Sequence, residues 1–425
     1  MQDNAREPVY IATIPKRGYE LIASVDEQED PGTHEGMQSI GLQHTKKSTW
    51  YYLTAGFLVV AAGIYWFVMS ASVDPVVTDE SNVSTISKEN IAQQPLETPS
   101  IAVLPFVNMS GDPEQEYFSD GISEDIITDL SRLKNVAVIA RNSTFSYKGT
   151  VTTTKDIANA LNVSHVLEGS VRRSDDRVRI TAQLIDVSNG QHIWADRYDR
   201  ELHDVFAVQD EITKQIVAAL TLRLHDGENE TIVHPTATNN FEAYDLFLKG
   251  LSMYYNYSDE SLQNSVELFR EAINLDPEFS RAYASLAVSL MRQAFAGHTS
   301  HPVETRKRSY ELAHKAVSLD PNSPHALWAL GFVYMHRRQF EDSIVALEKA
   351  ISMSPQYAEA YSLLALVNNN LGNADEAIRL IETGMELNPN YTWDYLFNLG
   401  RAYYIQGDYK NAVKYLERAI ERNPN

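Results

Sequence analysis

The sequence predicts a multidomain protein: an N-terminal β-hairpin, one membrane-spanning helix, an α+β domain and an all-α solenoid of repeated helix pairs. Three observations predict it. Residues 48–73 carry no charged side chain. Strand-like and helix-like apolar patterns alternate between Ile101 and Tyr198. Helix-ending prolines recur at Pro277, Pro321, Pro355, Pro389 and Pro424, with spacings of 44, 34, 34 and 35 residues.

The hairpin comes first. Val9 to Ile14 and Tyr19 to Ala23 are β-branched or aromatic runs on either side of Pro15-Lys16-Arg17-Gly18, a turn signal between two strands. A lone hairpin is marginal in water, so residues 1–25 are not expected to fold by themselves. Residues 26–48 are acidic and Gly-rich, as a solvated linker is.

The uncharged run is long enough to span a bilayer core, which takes about 20 apolar helical residues. Trp50 and Tyr51 at one end, and Tyr65 and Trp66 at the other, suit the two polar interfaces. A cleaved signal peptide is the alternative, but it has a shorter apolar core and starts near residue 1. The helix is placed at 49–71. Lys46 and Lys47 abut its N-terminal side, whereas Asp74, Asp79 and Glu80 come first on the other. Positive flanks stay inside, so the N-terminus is expected in the cytoplasm and residues 74–425 outside. Gly56 and Gly63 share one helix face and would allow close pairing of two such helices, an opening for a homodimer. The absence of cysteine fits an oxidising compartment. Residues 72–98, rich in Ser, Thr, Asn, Gln and Pro, form a linker spanning about 25–30 Å.

The α+β domain is placed at 99–226. Ile101-Ala102-Val103-Leu104-Pro105-Phe106 reads as a buried strand, and Asp120 as the cap of a helix whose apolar face is Ile122, Ile126, Ile127, Leu130 and Leu133. A strand at 136–140, a helix at 155–161, strands at 165–171, 178–187 and 192–198, and a helix at 205–224 complete the order βαβαβββα. Alternation in Val178-Arg179-Ile180-Thr181-Ala182-Gln183-Leu184 gives that strand one buried and one wet face. Ser174-Asp175-Asp176 and Ser188-Asn189-Gly190 supply the hairpin turns.

A 34-residue period is that of the tetratricopeptide repeat, two antiparallel helices per unit, and five units are placed at 240–425. Leu330-Gly331-x-x-Tyr334 with Leu347, Ala350 and Pro355, and Leu399-Gly400-x-x-Tyr403 with Ala412, Leu416, Ala419 and Pro424, carry the pattern. Asn368 stands where a large residue is usual and Gly384 where Ala is usual. The spacing of 44 implies about ten extra residues, expected within 295–305. No polar capping helix follows the last unit, so its end is expected to be covered or continued.

Residues 99–224 resemble the TolB amino-terminal-like domain, through Ser100-Ile101-Ala102-Val103-Leu104-Pro105-Phe106, Tyr117-Phe118-Ser119-Asp120-Gly121, Val166-Leu167-Glu168-Gly169-Ser170-Val171 and Ile193-Trp194-Ala195-Asp196-Arg197-Tyr198. The resemblance implies a unit of bacterial membrane regulators, found also beside some adenylate cyclase domains. Glu7-Pro8-Val9-Tyr10-Ile11-Ala12-Thr13-Ile14 with Arg17-Gly18-Tyr19-Glu20-Leu21 is similar to the C-terminal wing of the OmpR/PhoB-type winged helix. Together they resemble the layout of ToxR/CadC-like transmembrane transcription regulators, in a chain whose winged helix is truncated. The family's recognition helix is missing, so DNA is a partner only if that domain is complete. Lys16 and Arg17 would then touch the phosphate backbone.

Composition narrows the function. A net charge of −21 argues against nonspecific nucleic-acid binding, and 44% hydrophobic residues suffice for folded cores. Asp120, Glu124, Asp125 and Asp129 crowd one helix start, which the helix dipole favours without any chemistry. Asn108-Met109-Ser110-Gly111-Asp112-Pro113 lacks the Gly and Lys pattern of a phosphate cradle and reads as a turn. His165, His192 and His203 lack ligand spacing. No catalytic motif, metal or cofactor is expected, and the chain is not expected to be an enzyme.

The repeat groove is the expected binding surface, for a protein or peptide. By motif position its lining is Phe247, Tyr254, Arg281, Arg292, His325, Trp328, Phe332, His336, Asn369, Asn370, Arg401 and Tyr404. The expected function is therefore that of an inner-membrane signalling regulator. The contrasting reading is a membrane-anchored periplasmic scaffold that does not bind DNA.

Overall fold

The structure, a computed structural model, describes residues 11–14, 18–21, 99–221, 238–256 and 258–423. It divides into two units, Met1–Asn90 and Ile91–Asn425. In the first, β1 (Ile11–Ile14) and β2 (Gly18–Leu21) pair antiparallel, with Ile11 opposite Leu21 and Ile14 opposite Gly18, as the turn signal between them predicts. Lys16 and Arg17 lie outside the described residues, as do the linkers 26–48 and 72–98. So does the apolar run with Trp50, Tyr51, Gly56, Gly63, Tyr65 and Trp66. No helix among the described residues is long and apolar enough to cross a membrane.

The second unit opens with β3 (Ser100–Val103) and β4 (Val107–Asn108), then α1 (Glu116–Leu130), β5 (Ala137–Val138), α2 (Arg141–Phe145) and α3 (Thr154–Leu161). Three long strands follow, β6 (His165–Ser174), β7 (Arg177–Asp186) and β8 (Gln191–Glu201), and then α4 (Val205–Thr221). The strands form one mixed sheet in the order β5-β3-β6-β7-β8, with β4 also beside β6. β3 runs parallel to β5 and β6, while β6, β7 and β8 form an antiparallel meander. Alternation decides the faces: Ile101 and Val103 join the core with α1 and α4, while Ala102 joins Ile157, Ala158 and Leu161 of α3 on the other side. In β7, Val178, Ile180, Ala182 and Leu184 are buried and the residues between them are largely wet.

Two details differ from expectation. α1 starts at Glu116, and Asp120 lies inside it rather than at its cap. The chain enters through a 3-10 turn at Pro113–Gln115, which Asp112 caps by accepting from the Glu114 amide. The Asp120 carboxylate instead receives Lys148 Nζ at 2.5 Å. The short helix α2 was not expected from the sequence, because five residues are too few to show a period.

Among the described residues ten helices then form five antiparallel pairs: α5 (Phe241–Tyr255) and α6 (Asp259–Leu275), α7 (Ser280–Ala296) and α8 (Pro302–Leu319), α9 (Pro324–His336) and α10 (Phe340–Met353), α11 (Ala358–Leu371) and α12 (Ala374–Leu387), α13 (Trp393–Gln406) and α14 (Tyr409–Arg422). Small residues mark the crossings. A Cβ on Gly331 would meet Leu347 at 2.7 Å, and one on Gly400 would meet Leu416 at 2.8 Å. The two departures from the pattern are accommodated locally. Gly384 makes room for the ring of Tyr395, and Asn368 bonds the Leu364 carbonyl and Asn373 at its helix end. The ten extra residues are not one insertion. Compared with α9 and α10, which have 13 and 14 residues, α7 and α8 have 17 and 18, and only the remainder lengthens the loop between them.

The α+β domain and the first repeats share one core. A continuous buried cluster runs from Ile101 in β3 to Ala346 in α10.

Candidate functional site

The N-terminal part of the repeat array is not an open groove. α1 lies on α5, an approach permitted by Gly121, since a Cβ there would come within 2.5 Å of Leu248. Burial of polar groups demands partners, and the interface supplies them. Asp125 of α1 forms an ion pair with Arg281 of α7 at 2.7 Å and accepts from the Tyr244 hydroxyl at 2.5 Å and from Gln209 Nε2 at 3.2 Å. Burial alone would lower the Arg281 pKa, but the adjacent Asp125 carboxylate outweighs it and holds the guanidinium firmly charged. Burial and Asp125 together push Tyr244 far above the ordinary phenol value.

A second cluster ties Asp245 of α5 to the sheet. It accepts from Tyr117 Oη and from Arg173, both at 2.7 Å, and pairs with Lys249 at 2.9 Å. Burial pushes the Asp245 carboxyl up, yet these donors prevail and hold it below the usual range.

The third cluster is built by α2. Arg141 Nε meets Glu124 at 2.9 Å while its guanidinium lies 3.9 Å from the ring centres of both Phe145 and Tyr255, and the Tyr255 hydroxyl donates to Glu124 at 3.0 Å.

The stretch from the end of α1 through α2 then reaches two loops of the array further on. The Ser131 carbonyl accepts from Ser354 Oγ at 3.0 Å, and the Ala140 amide donates to the Leu387 carbonyl at 2.8 Å. Ser143 Oγ donates to Asn388 Oδ1 at 2.5 Å and accepts from the Asn390 amide at 2.8 Å. The α+β domain is thus latched to α5, α7 and the loops before α11 and α13.

Against this geometry the expected groove residues divide. Phe247 is fully buried against Phe269 and Phe279 and lines no groove, because its side of α5 faces α6 and α7. Arg281 is used by Asp125. Asn369 is 2% exposed, covered by the next pair, and donates to the Asn398 carbonyl at 2.9 Å. The rest are brought together in part. Arg292 lies 4.5 Å over the Tyr254 ring. His325, Trp328, Phe332 and His336 form a ladder along α9, with centroid separations of 6.2, 5.7 and 4.4 Å, and Phe295 extends it at 4.3 Å from His336. Trp328 Nε1 donates to the Glu359 carbonyl at 3.2 Å. Burial, aided by Arg281, lowers His325 to about 3, and burial, aided by Arg292, lowers His336 to about 4. Both imidazoles are therefore neutral near pH 7. Arg401 donates to Asn370 at 2.7 Å, and Tyr404 stands 62% exposed at the far end.

A cleft of about 1530 Å³ opens between the α+β domain and the start of the array, with Asp129, Asp175, Asp176, Asp276 and Asp320 among its walls. Burial first, and then Asp125, raises Asp129 to about 7. Among the described residues no group of three or more His, Asp or Glu side chains converges as a metal site. The acidic crowd on α1 is interfacial: Asp120, Glu124 and Asp125 each face a cation from another element. Sequence reasoning took these acids only as dipole partners. The cations lie up to 156 residues away in the chain, as from Asp125 to Arg281, so no local pattern announces them.

The class that emerges is an α+β domain fused to a tetratricopeptide-repeat solenoid. Residues 97–215 match the family model described as HilA/YgeH-like transcriptional regulator, second domain, and residues 324–357 and 356–425 match tetratricopeptide repeat models. The chain is 49% identical over 190 residues to a protein named putative adenylate cyclase 3 of Rhizobium meliloti (strain 1021), covering 45% of this chain and 32% of that protein. It is 23% identical over 347 residues to the transcriptional activator CadC of Escherichia coli (strain K12), covering 72% of this chain and 62% of that protein. The chain therefore spans a third or less of the first relative and under two thirds of the second. A solved thermophilic TPR protein of Thermus thermophilus is 20% identical, with a TM-score of 0.36, over 43% of this chain and 92% of that one.

Proposed function

We propose that this chain is a single-pass membrane regulator of the ToxR/CadC type, anchored by residues 49–71 with its N-terminus in the cytoplasm. Its TolB-like α+β domain and repeats would work in the periplasm. The observation that carries the reading is the regulator-type domain at 97–215 joined through a shared core to a tetratricopeptide array. The uncharged run 48–73, with Lys46 and Lys47 before it, supports the anchor and its direction.

In this reading a protein or peptide partner docks on the half of the groove that the α+β domain leaves uncovered, on Trp328, Phe332, His336, Asn370, Arg401 and Tyr404. Partner binding reaches the cytoplasm because the α+β domain, latched to the same helices, sits next in the chain to the linker and the membrane helix. DNA is contacted only through a complete winged helix, with Lys16 and Arg17 at the phosphates. The protein named a putative cyclase aligns with this chain over 190 residues, 32% of its own length, and its activity is not carried over.

The test is a fusion of alkaline phosphatase after residue 98, combined with transcript profiles of a deletion strain. An active fusion and a changed, limited transcript set are expected. An inactive fusion, with a cytoplasmic reporter active at the same point, overturns the topology. An active fusion with unchanged transcripts overturns the regulator reading in favour of the periplasmic scaffold.

A further inference from the structure

The rim of the groove changes sign along the array. The second residue of each inner helix from α7 to α13 is Arg281, His325, Glu359 and Asp394 in turn. An acid in a first turn is favoured by the helix dipole, which accounts for Glu359 and Asp394 taken singly. It does not account for what the α+β domain sets against the rim. Asp125 stands against Arg281 at 2.7 Å. Further on, where the rim is acidic, the same domain brings a cation, Arg141, among Glu124, Tyr255 and Glu359.

Arg141 is received as a ligand would be. Its Nε meets the Glu124 carboxylate at 2.9 Å, and its guanidinium centre lies 3.9 Å from the centre of the Tyr255 ring. The Tyr255 hydroxyl donates to the same carboxylate at 3.0 Å, which fixes ring and acid together. A planar cation stacked on an aromatic face beside a carboxylate suits guanidinium better than ammonium. Burial pushes the Glu359 carboxyl up, Glu124 adds to this, and Arg141 is the cation that opposes it. Among the described residues Glu359 has no ion pair of its own.

The three walls and the occupant are held differently. Glu124, Tyr255 and Glu359 belong to α1, α5 and α11, whose apolar faces are in the cores. Arg141 opens α2, which has five residues, too few to be stable alone. The buried residues of α2 are Ser143 and Thr144, and its one aromatic side chain, Phe145, is partly exposed. Its hydrogen bonds to the array are polar and local: Ser143 with Asn388 and Asn390, and Ser146 Oγ with Asn390 Nδ2 at 2.8 Å. Residues 148–153 after it are all exposed, and Lys148, paired with Glu116 and Asp120 of α1, marks the fixed end of the segment. Such a short segment opens at a smaller free energy than the body on which it lies.

We propose that Glu124, Tyr255 and Glu359 form a guanidinium subsite on the groove rim, filled here by the chain's own Arg141, and that an arginine side chain of the groove's peptide partner takes it when α2 swings out. The inference rests on the peptide-groove reading above and narrows it to one partner chemistry. The topology fusion and the transcript profiles do not read this subsite, so each can fail without the other. α2 then sets the affinity, because a partner that needs the open form binds more weakly by the open fraction. Asp125 and Asp245 stay paired throughout, so the two domains remain joined.

The test uses the full chain in lipid nanodiscs. Arg141→Ala removes the occupant and leaves all three walls. Its Tm is expected to fall below that of the wild type and to recover by at least half with millimolar methylguanidinium chloride, but not with methylammonium chloride at the same concentration. The double variant Glu124→Gln/Arg141→Ala is expected to lose the recovery, which separates the subsite from a general salt effect. Exchange is read by the anisotropy of a dye-labelled tripeptide amide, Ala-Arg-Ala, on the Ser143→Cys/Asn388→Cys chain. Reduced, this chain lacks the Ser143 bonds and is expected to bind the peptide at least tenfold more tightly than when oxidised, where the disulfide holds α2 down. Absent recovery, or equal recovery with methylammonium, overturns the subsite. Equal peptide binding in the reduced and oxidised chains overturns the exchange.

Discussion

Replacing Arg281 with Met probes the latch between the α+β domain and the repeat array. The substitution keeps the volume of the stem and removes the guanidinium, so its main effect is to leave the buried Asp125 carboxyl without its cation. Breaking a buried pair from one side is destabilising by about 3–5 kcal/mol. Tyr244 and Gln209 still donate to Asp125, which places the expected loss at the lower end, about 3 kcal/mol. At about 2–4 °C per kcal/mol for a unit of a few hundred residues, Tm should fall by about 6–12 °C. Differential scanning fluorimetry of the purified full chain reads this directly. The double variant Arg281→Met/Asp125→Asn removes both charges and should be less damaged than the sum of the singles by about 1 kcal/mol or more. A Tm shift under about 2 °C, or strict additivity of the two changes, would refute the latch.

Three further predictions use other parts of the structure. A Cβ on Gly169 would meet the buried Phe106 ring at 2.5 Å, so Gly169→Ala should destabilise by about 1–3 kcal/mol in a urea titration despite the better strand propensity of Ala. His325 and His336 titrate at about 3 and 4 when folded, below the ordinary value of about 6.5. The unfolded chain therefore binds their protons first, and stability should fall as pH drops from about 6.5 toward 4. His336→Gln should flatten that slope, as measured by unfolding at stepped pH. Asp129 has the opposite sign. Its folded value of about 7 lies above the unfolded one, so its contribution to stability is present below about pH 4 and is lost as pH rises through 7. Asp129→Asn should accordingly raise Tm at pH 8 and leave it nearly unchanged at pH 4.

Much of the fold was legible because its determinants are local. The prolines and the small residues Gly331 and Gly400 repeat with the helix pair, so the array could be placed from spacing alone. The alternation of β7 likewise identifies its buried face. What was not legible depends on distant partners. Nothing near Asp125 in sequence indicates Arg281, and nothing near Ser143 indicates Asn388, 245 residues away. Motif position placed Phe247 and Asn369 in the groove, but their neighbours in space bury them. The start of α1 was missed because a 3-10 turn, capped by Asp112, precedes it and carries no apolar period. The ten extra residues were misplaced into one stretch because a lengthened helix pair and an inserted loop leave the same spacing between prolines.

The central claim is that the regulator-type domain and the repeat array form one latched body, joined through the Asp125, Asp245, Glu124 and Ser143 contacts. The most direct measurement is a disulfide between Ser143→Cys and Asn388→Cys in the otherwise cysteine-free full chain, where the native side chains meet at 2.5 Å. After mild oxidation and cleavage at a specific protease site inserted between the two domains, the account predicts that the two fragments stay joined on a denaturing gel and separate on reduction. A Ser143→Cys/Tyr404→Cys control should not join them. Fragments that separate without reduction, or that join equally in the control, would contradict the latched arrangement.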